Sequence, residues 1–167
     1  MNKKNIDSII EKLKNNEIVL IPTDTVYGLS AIAGNEENQT RINKMKKREL
    51  DKKLIILISS LEMVKEFNLD NEAIEKLKSN IPTTVIVGNE TKNVAYRLIK
   101  DNCYLKSIID EVGPIYSTSA NFSAENYICD KKIFKKIINS CDNFYWNGKN
   151  NCIPSKIFDN INKTYVR

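Results

Sequence analysis

The feature that most constrains this chain is an aliphatic run that ends at a proline and is followed at once by a dense polar segment. Residues 18–21 read IVLI, and residues 22–29 read PTDTVYGL. Four aliphatic residues in a row are typical of a buried strand, and Pro22 cannot continue a hydrogen-bonded ladder. The polar side chains that follow the strand are those of Thr23, Asp24, Thr25 and Tyr27.

Two interpretations of this polar segment are open. Polar groups at the carboxyl end of a strand suit a ligand, because open α/β sheets bind their ligands at that edge. The other interpretation is a turn whose threonine and aspartate side chains cap their own backbone. The segment by itself does not choose between them.

The 167 residues suffice for a sizeable core, and we expect a single domain over residues 1–167. No run approaches the roughly 20 apolar residues of a membrane span. The opening MNKK leads into an amphipathic pattern rather than a signal peptide. The sequence therefore predicts a cytoplasmic protein that does not enter the membrane. Without CxxC spacing, its cysteines are expected to be reduced packing residues rather than disulfide or zinc ligands; they are Cys103, Cys129, Cys141 and Cys152.

Histidine is absent from the chain, and this absence excludes several kinds of enzyme. A Ser-His-Asp or Cys-His nucleophile system, an HExxH zinc helix and an imidazole acid–base catalyst are all impossible. Any chemistry must use lysine, arginine, carboxylates, hydroxyls, backbone amides or a metal held by oxygen. The net charge of +5 suits an anionic ligand or RNA without deciding between them.

The hydrophobic pattern alternates between helical and extended segments along most of the chain. Helices are predicted at 5–15, 36–47, 60–67, 70–79, 103–112 and 130–140, and strands at 17–21, 54–58, 84–87, 94–98 and 115–119. Shorter extended segments are predicted at 143–146, 155–159 and 163–167. The pattern predicts an α/β sandwich, with helices covering a mixed rather than purely parallel sheet.

A cationic segment precedes the second predicted strand. Six of the ten residues 44–53 are lysine or arginine: Lys44, Lys46, Lys47, Arg48, Lys52 and Lys53. Such a cluster could bracket a polyphosphate, with arginine offering a fork of donors and lysine a point charge. A solvated helix end, whose cations complement the negative end of the helix dipole, is the alternative.

A second polar strand end is the segment STSAN at 117–121. Its hydroxyls and amide offer donors and acceptors that suit the phosphates and sugar of a nucleotide, although they could also cap the following turn. A serine–lysine hydrolase is a further possibility, but no general base is identified nearby.

Other motifs point away from common nucleotide-binding classes. Neither GxxxxGK[ST] nor GxGxxG occurs, so P-loop and Rossmann sites are not predicted. Four lysines at helical spacing are interpreted as a solvated face, with RNA contact as the alternative; they are Lys131, Lys132, Lys135 and Lys136.

Taken together, these segments resemble the YrdC-like family, the threonylcarbamoyl-adenylate synthases. PTDTVYGL at 22–29 is similar to the opening signature of that family, Lys46-Lys47-Arg48 to its KxR element, and Ser119-Ala120-Asn121 to its SxN element. In chain order, Thr84 is similar to the threonine of PGPxT, Ala95-Tyr96-Arg97 to AVR, and Pro154-Ser155 to a late PS element. The similarity extends over about residues 17–167.

The chain departs from the family pattern in three loops and in length. Glu49 stands where a proline is usual, Ile81-Pro82 is a reduced PGP motif, and Ala124 replaces a common glycine. The additional C-terminal domain of longer members is absent from this sequence. We expect these differences to alter local loop geometry more than chemistry.

The resemblance implies a fold and a reaction. The fold is an α/β domain with a mixed, twisted open sheet, flanked by helices, around a central basic cavity. The reaction converts L-threonine, bicarbonate and ATP, with Mg²⁺, into threonylcarbamoyl-AMP and pyrophosphate. A separate tRNA threonylcarbamoyl transferase then uses the adenylate to form N6-threonylcarbamoyladenosine at position 37 of ANN-decoding tRNAs.

The resemblance also implies a role for each matching residue. Lys46 and Arg48 are expected to be catalytic by neutralising phosphate and carbamate charge. The residues expected at ATP are Lys46, Arg48, Lys52, Thr84, Ser117, Ser119, Asn121, Ser155 and Arg167. Those expected at threonine are Thr23, Thr25, Tyr27 and Arg97. Ser119 is also expected near the magnesium ion, and Asp24 either orients Arg48 or has a structural role.

Two other classes of function remain open. An RNA-binding maturation factor would use the same cations for a nucleic-acid backbone without turnover, and its affinity would fall steeply with salt. A hydrolase or carbamoyl-phosphate-using domain, similar to the YrdC-like part of hydrogenase maturation proteins, would act on another donor. The short chain argues against the second class.

Overall fold

The computed structural model describes residues 1–89, 91–101, 103–138, 143–150 and 152–167. Its helices are α1 (Lys3–Lys14), α2 (Glu36–Met45), α3 (Asn71–Lys78), α4 (Tyr104–Val112) and α5 (Lys131–Ile138). Its strands are β1 (Val19–Pro22), β2 (Tyr27–Ile32), β3 (Ile55–Ile58), β4 (Thr83–Gly88), β5 (Asn93–Leu98), β6 (Ile115–Ser119), β7 (Lys156–Asp159) and β8 (Thr164–Tyr165).

Within the described residues, the strands form one sheet in the order β1-β2-β6-β3-β5-β4-β7-β8. The pairs β3–β5 and β4–β7 are parallel, and the remaining pairs are antiparallel. The predicted mixed open sheet flanked by helices is therefore confirmed. No helix in the described part of the chain is both long enough and apolar enough to span a bilayer.

Side-chain alternation along each strand divides the core between the two faces of the sheet. On one face, α1 and α4 pack over Val19, Leu57 and Ile115. On the opposite face, α2 and α5 pack over Leu20 and Leu29. That same face continues to α3, which covers a third cluster around Val85 and Tyr96. Because α1 and α4 cover only part of their face, the rest of it is left for a cavity.

Two predicted elements are different in the structure. Residues 22–29 are not a loop after one strand, because β1 and β2 form an antiparallel hairpin in which Ile21 pairs with Gly28. Only Leu61–Met63 of the predicted helix 60–67 is helical, as a short 3₁₀ turn. Its apolar side chains reach the α3 cluster from an irregular backbone, so their burial requires no helix.

The remaining segments follow the sequence pattern, with bounds that differ by a few residues. Of the extended segment 143–146, Phe144 forms an isolated bridge with Leu20. Cys129 is buried in the core, and the thiols of Cys103, Cys129 and Cys152 are free. Cys141 and residues 139–140 of the predicted helix 130–140 lie outside the described residues.

Candidate functional site

The strand register collects the polar strand ends on one face of the sheet. Gly28 pairs with Ser119, and Ser117 pairs with Ile55. Leu57 of the same strand pairs with Arg97. Directly paired residues point to the same face, so these side chains form one surface. A cavity of about 270 Å³ opens over it.

Most of the residues predicted for the site line this cavity. They are Thr23, Thr25, Arg97, Ser117, Ser119, Asn121, Ser155 and Arg167. They come from the β1–β2 turn, β5, β6 and the segment around β7, which are far apart along the chain. The fold therefore brings together two groups of residues that the resemblance assigned to threonine and to ATP.

The β1–β2 turn forms the first wall through its own hydroxyls. Thr23 Oγ1 donates to the carbonyl of Val26 at 2.7 Å and accepts from the amide of Thr25 at 3.2 Å. The two threonine hydroxyls lie 3.0 Å apart. The capping interpretation of the sequence is thus correct for Thr23, while both threonines also face the cavity.

Arg97 crosses from β5 to this turn and forms a buried ion pair. One terminal nitrogen lies 2.7 Å from Asp24 Oδ1 and 3.4 Å from Thr23 Oγ1, and the other donates to Thr25 Oγ1 at 3.1 Å. The side chains of Arg97 and Asp24 are 6% and 18% exposed. Burial lowers the pKa of Arg97, and the Asp24 carboxylate opposes that shift.

This pairing settles the role of Asp24 and leaves one donor unused. Of the two roles left open for Asp24, orienting Arg48 is not the one that the structure shows, because its carboxylate is paired with Arg97. The Nε–H of Arg97 is buried and has no partner within the described residues. A buried, unpaired donor on a cavity wall is costly unless a ligand accepts from it.

The Ser119–Asn121 turn forms the second wall and is held from behind by Lys46. Ser119 Oγ donates to Asn121 Oδ1 at 2.6 Å. Lys46 Nζ donates to the carbonyls of Ser119 and Asn121, each at 2.5 Å. Burial, and less strongly the charge of Arg48, lower the pKa of Lys46 to about 8.

The predicted cations of the KxR segment do not line the cavity themselves. Lys46 lies behind the wall, and Arg48 is half-buried beside it with Nε donating to Asn43 Oδ1 at 2.8 Å. Burial lowers the pKa of Arg48. Lys52 is exposed. Among the described residues, the charged side chains of the cavity lining are those of Arg97 and Arg167.

The far wall is formed by the segment that enters β7. Arg167 Nε donates to the carbonyl of Ser155 at 3.1 Å. The hydroxyls of Ser155 and Thr84 lie 2.9 Å apart, and both side chains are buried. Thr84 thus supports Ser155 from β4 without lining the cavity.

Tyr27, predicted to contact threonine, lies on the face of the sheet opposite the cavity. Its neighbour Gly28 faces the cavity, so Tyr27 points to the opposite face of the sheet. Its ring stacks on Trp146 with centroids 5.2 Å apart. Its hydroxyl accepts from the amide of Asn147 at 2.9 Å and donates to the carbonyl of Gly148 at 2.6 Å. Tyr27 is therefore a core residue in this structure.

The cavity lining includes residues that the sequence analysis did not assign to a ligand, and Tyr127 among them lies outside every segment it singled out. Tyr127 lines the cavity, and its hydroxyl accepts from the amide of Tyr27 at 2.8 Å. Val26, Thr118 and Pro154 also line it. The position of Tyr127 depends on a contact between residues 100 positions apart, which no local pattern could indicate.

The oxygen atoms that the polar side chains of the lining could offer to a metal ion belong to uncharged hydroxyl and amide groups. Within the described residues, no group of three or more carboxylate, cysteine or histidine side chains could hold an ion. The carboxylate beside the cavity, Asp24, is already paired. Magnesium prefers several oxygen ligands including carboxylate or phosphate, so these residues do not fit a resident magnesium ion.

The fold and the cavity define a class of α/β protein. Its open sheet presents a hydroxyl-rich turn, a second polar turn and two arginines around one cavity suited to a small anionic ligand. The family model for Sua5/YciO/YrdC, described as telomere recombination, matches residues 11–167, and the chain belongs to this family. The resemblance found in the sequence is confirmed.

Curated relatives and solved structures agree with this membership. The chain is 27% identical over 137 residues to a threonylcarbamoyl-AMP synthase of Aliivibrio fischeri, covering 72% of this chain and 74% of that protein. It is 30% identical over 137 residues to a threonylcarbamoyl-AMP synthase of Pasteurella multocida, covering 71% and 74% respectively.

Two structures of Sua5 from P. abyssi share the fold at 24% identity. An H234A/Y235A variant has a TM-score of 0.81 and covers 96% of this chain and 54% of its own. A complex with L-threonine has a TM-score of 0.71 and covers 95% and 52% respectively. This chain therefore spans about half the length of that Sua5.

Proposed function

We propose that this protein is an L-threonylcarbamoyladenylate synthase that makes threonylcarbamoyl-AMP and pyrophosphate from L-threonine, bicarbonate and ATP. The observation that carries the proposal is the single cavity that joins Arg97 and the threonine hydroxyls to the Ser119–Asn121 turn. The names of the curated relatives support this function over RNA binding without turnover. The P. abyssi Sua5, which shares the fold, has been solved in complex with L-threonine, and this supports threonine as a substrate in the proposal.

We assign threonine to the wall formed by the β1–β2 turn. The unpaired Nε–H of Arg97 is a charge-assisted donor for a carboxylate, and the hydroxyls of Thr23 and Thr25 can bond to a hydroxyl or amine. The Asp24 carboxylate holds one terminal nitrogen of Arg97 and Thr25 Oγ1 accepts from the other, and together they fix the direction of the Nε–H. Tyr27 is left out of this assignment because it packs in the core.

We assign ATP to the opposite end of the cavity. The hydroxyls of Ser117, Ser119 and Ser155 and the guanidinium of Arg167 line that end, and they suit phosphate and sugar oxygens. Arg48 is half-buried outside the cavity lining with its Nε bonded to Asn43, and we assign its terminal nitrogens to the phosphates. Lys52 remains a prediction from the resemblance alone.

The proposed chemistry requires positioning more than proton transfer. The threonine amine and bicarbonate form a carbamate, whose oxygen attacks the α-phosphorus of ATP as pyrophosphate leaves. Arg48, Arg97 and Arg167 would offset the negative charge on both reactants, in a site without histidine. Magnesium would enter with the ATP phosphates as part of the substrate.

Pyrophosphate release measured with ATP and bicarbonate, with and without threonine, tests the proposal. We expect release to depend on threonine. Release that is the same without threonine would contradict the proposed reaction, and RNA binding that weakens steeply with salt, without any release, would favour the RNA-binding alternative.

Arg48→Ala tests the charge assignment within that assay. We expect a loss of about a hundredfold in kcat/KM, because a well-placed donor to a charged transition state is worth that much. Arg41→Ala is the matched control, since Arg41 is an exposed arginine on the preceding helix α2 that donates to the carbonyl of Asn16. Equal activity of the two variants would remove Arg48 from the site.

The cellular context follows from the chemistry as a further part of the proposal. A mixed anhydride of AMP is reactive, so a tRNA threonylcarbamoyl transferase would consume it directly. We place that transfer in the cytoplasm, where the tRNA substrates are found. Direct contact with RNA through the lysines of α5 belongs to the same proposal.

A further inference from the structure

The side chain of Lys46 is buried and uses all its donors inside the protein. The residue is 2% exposed. Its Nζ lies 2.5 Å from the carbonyl oxygens of both Ser119 and Asn121, and 3.3 Å from Asn121 Oδ1. An ammonium group has three N–H donors, so three acceptors occupy it completely.

The backbone beside Lys46 is tied to the same turn. The Lys46 carbonyl accepts from the amide of Ser123 at 3.0 Å. Lys47, with a φ of 54°, places its Nζ 4.9 Å from the centre of the Phe122 ring. The end of α2 therefore holds the segment from Ser119 to Ser123 by both side-chain and main-chain contacts.

We infer that Lys46 is a positioning residue: it fixes the Ser119–Asn121 turn from behind and does not contact the ligand. A phosphate contact would require Lys46 to give up one of its three bonds to this partly buried turn. Arg48 has no such constraint on its terminal nitrogens. The inference rests on the proposed function, because the turn that Lys46 fixes is the one assigned to ATP.

The turn depends on a cation because it brings oxygen atoms together. The Ser119 and Asn121 carbonyls and Asn121 Oδ1 all converge on Lys46 Nζ. Without the ammonium each of these partly buried acceptors would lose one donor, although the Ser119 carbonyl would still accept from the backbone N–H of Asn121 and Asn121 Oδ1 from Ser119 Oγ. The Asn121 amide, which also bonds to Ser119 Oγ and donates to the Glu125 carbonyl, would then reorient. Both residues line the cavity, so ligand affinity would fall with the change.

A double-mutant cycle between Lys46→Met and Asn121→Ala separates positioning from contact. If Lys46 acts through the turn, each single variant should lower kcat/KM about a hundredfold. The kcat/KM of the double variant should then be within about threefold of that of the less active single variant. Independent contacts to ATP would instead multiply the two losses, and that result would overturn the inference. Lys44→Met, which removes an exposed lysine from the same helix, should keep wild-type kinetics.

Two further measurements test the inference without relying on catalytic turnover, and the first uses the wild-type protein, so it does not depend on whether a variant folds. In the wild-type protein, the side-chain ¹⁵N signal of Lys46 should stay in place when ATP is added. A shift of that signal at saturating ATP would show direct contact.

Lys46→Arg keeps the charge but not the compact three-donor geometry, so its ATP affinity by calorimetry should fall nearly as far as that of Lys46→Met. Retention within threefold of the wild type would contradict positioning. Neither measurement requires threonine or product. Both would therefore still test the role of Lys46 if the protein did not catalyse the proposed reaction.

Discussion

The carboxylate of Asp24, in the turn of the first hairpin, lies 2.7 Å from the guanidinium of Arg97 on the fifth strand of the chain. The pair closes one side of the cavity across the intervening strands β6 and β3. Because both side chains are largely buried, each charge depends on the other. The pair thus connects the stability of the hairpin turn with the direction of the Arg97 donors.

Asp24→Asn should therefore affect both stability and threonine use. We expect the free energy of unfolding to fall by roughly 1–3 kcal/mol, since Arg97 would remain buried without a counter-ion. The KM for threonine should rise about tenfold, or roughly 1.4 kcal/mol of lost interaction. Chemical denaturation and pyrophosphate release measure the two effects.

Glu111→Gln is the matched control for that substitution. Glu111 pairs with Lys14 on the surface, where both side chains are more than half exposed. Exposed ion pairs contribute little, so stability and kinetics should stay near those of the wild type. An Asp24→Asn protein as active and as stable as this control would show that the buried pair is dispensable.

Tyr27→Phe distinguishes the structure from the sequence resemblance. The structure predicts a loss of about 1 kcal/mol in unfolding free energy, because the Asn147 amide and the Gly148 carbonyl lose their partner. The KM for threonine should not change, whereas Thr25→Val should raise it. A higher threonine KM for Tyr27→Phe at unchanged stability would place the tyrosine in the site after all.

Gly28→Ala should damage the cavity floor through a defined clash. A Cβ at this position would lie 2.5 Å from Ser117 Oγ and 3.3 Å from the Thr118 carbonyl. We expect about 1–3 kcal/mol of lost stability together with weaker ATP binding. Adding Ser117→Ala should restore most of the stability and little of the affinity, as measured by denaturation and calorimetry. A single variant with wild-type stability would contradict the steric account.

The lowered pKa of Lys46 predicts opposite pH trends for stability and ligand affinity. Its pKa is about 8 in the folded protein against an ordinary value of 10.5, so the unfolded chain binds more protons between these values. The contribution of Lys46 to stability should therefore rise with pH from about 8 to 10.5. ATP affinity should fall as pH rises through 8, because a neutral amine lacks one donor for the turn.

Lys46→Met isolates those trends from other titrating groups. The difference between wild type and variant, in both unfolding free energy and ATP affinity, should vary with pH only through this residue. Parallel pH curves for the two proteins, measured from pH 7 to 10, would show that Lys46 keeps one protonation state over the range.

Much of the fold could be predicted from local patterns, and the exceptions have physical causes. The strand Ile55–Ile58, with the sequence IILI, is apolar enough to be recognised directly. Strand Tyr27–Ile32 was missed because Gly28 and Ser30 occupy two of the positions on the face of the sheet that carries the cavity. The alternation of apolar and polar residues along this strand is therefore weak in the sequence. In the structure, the strand is held by pairing with β1 on one side and β6 on the other.

The sequence by itself determined which polar segments follow the strands, the absence of histidine chemistry and the resemblance to one family. The tertiary structure decided the partner of each charge. Asp24 meets Arg97 and not Arg48, and Lys46 meets backbone carbonyls beyond the cavity wall. Sheet order and register determine these contacts, and a shift of one residue along a strand would reverse the face of every side chain. The polar strand end PTDTVYGL accordingly supplies two cavity-lining threonines and one core tyrosine, a division that only the pairing of Gly28 with Ser119 could determine.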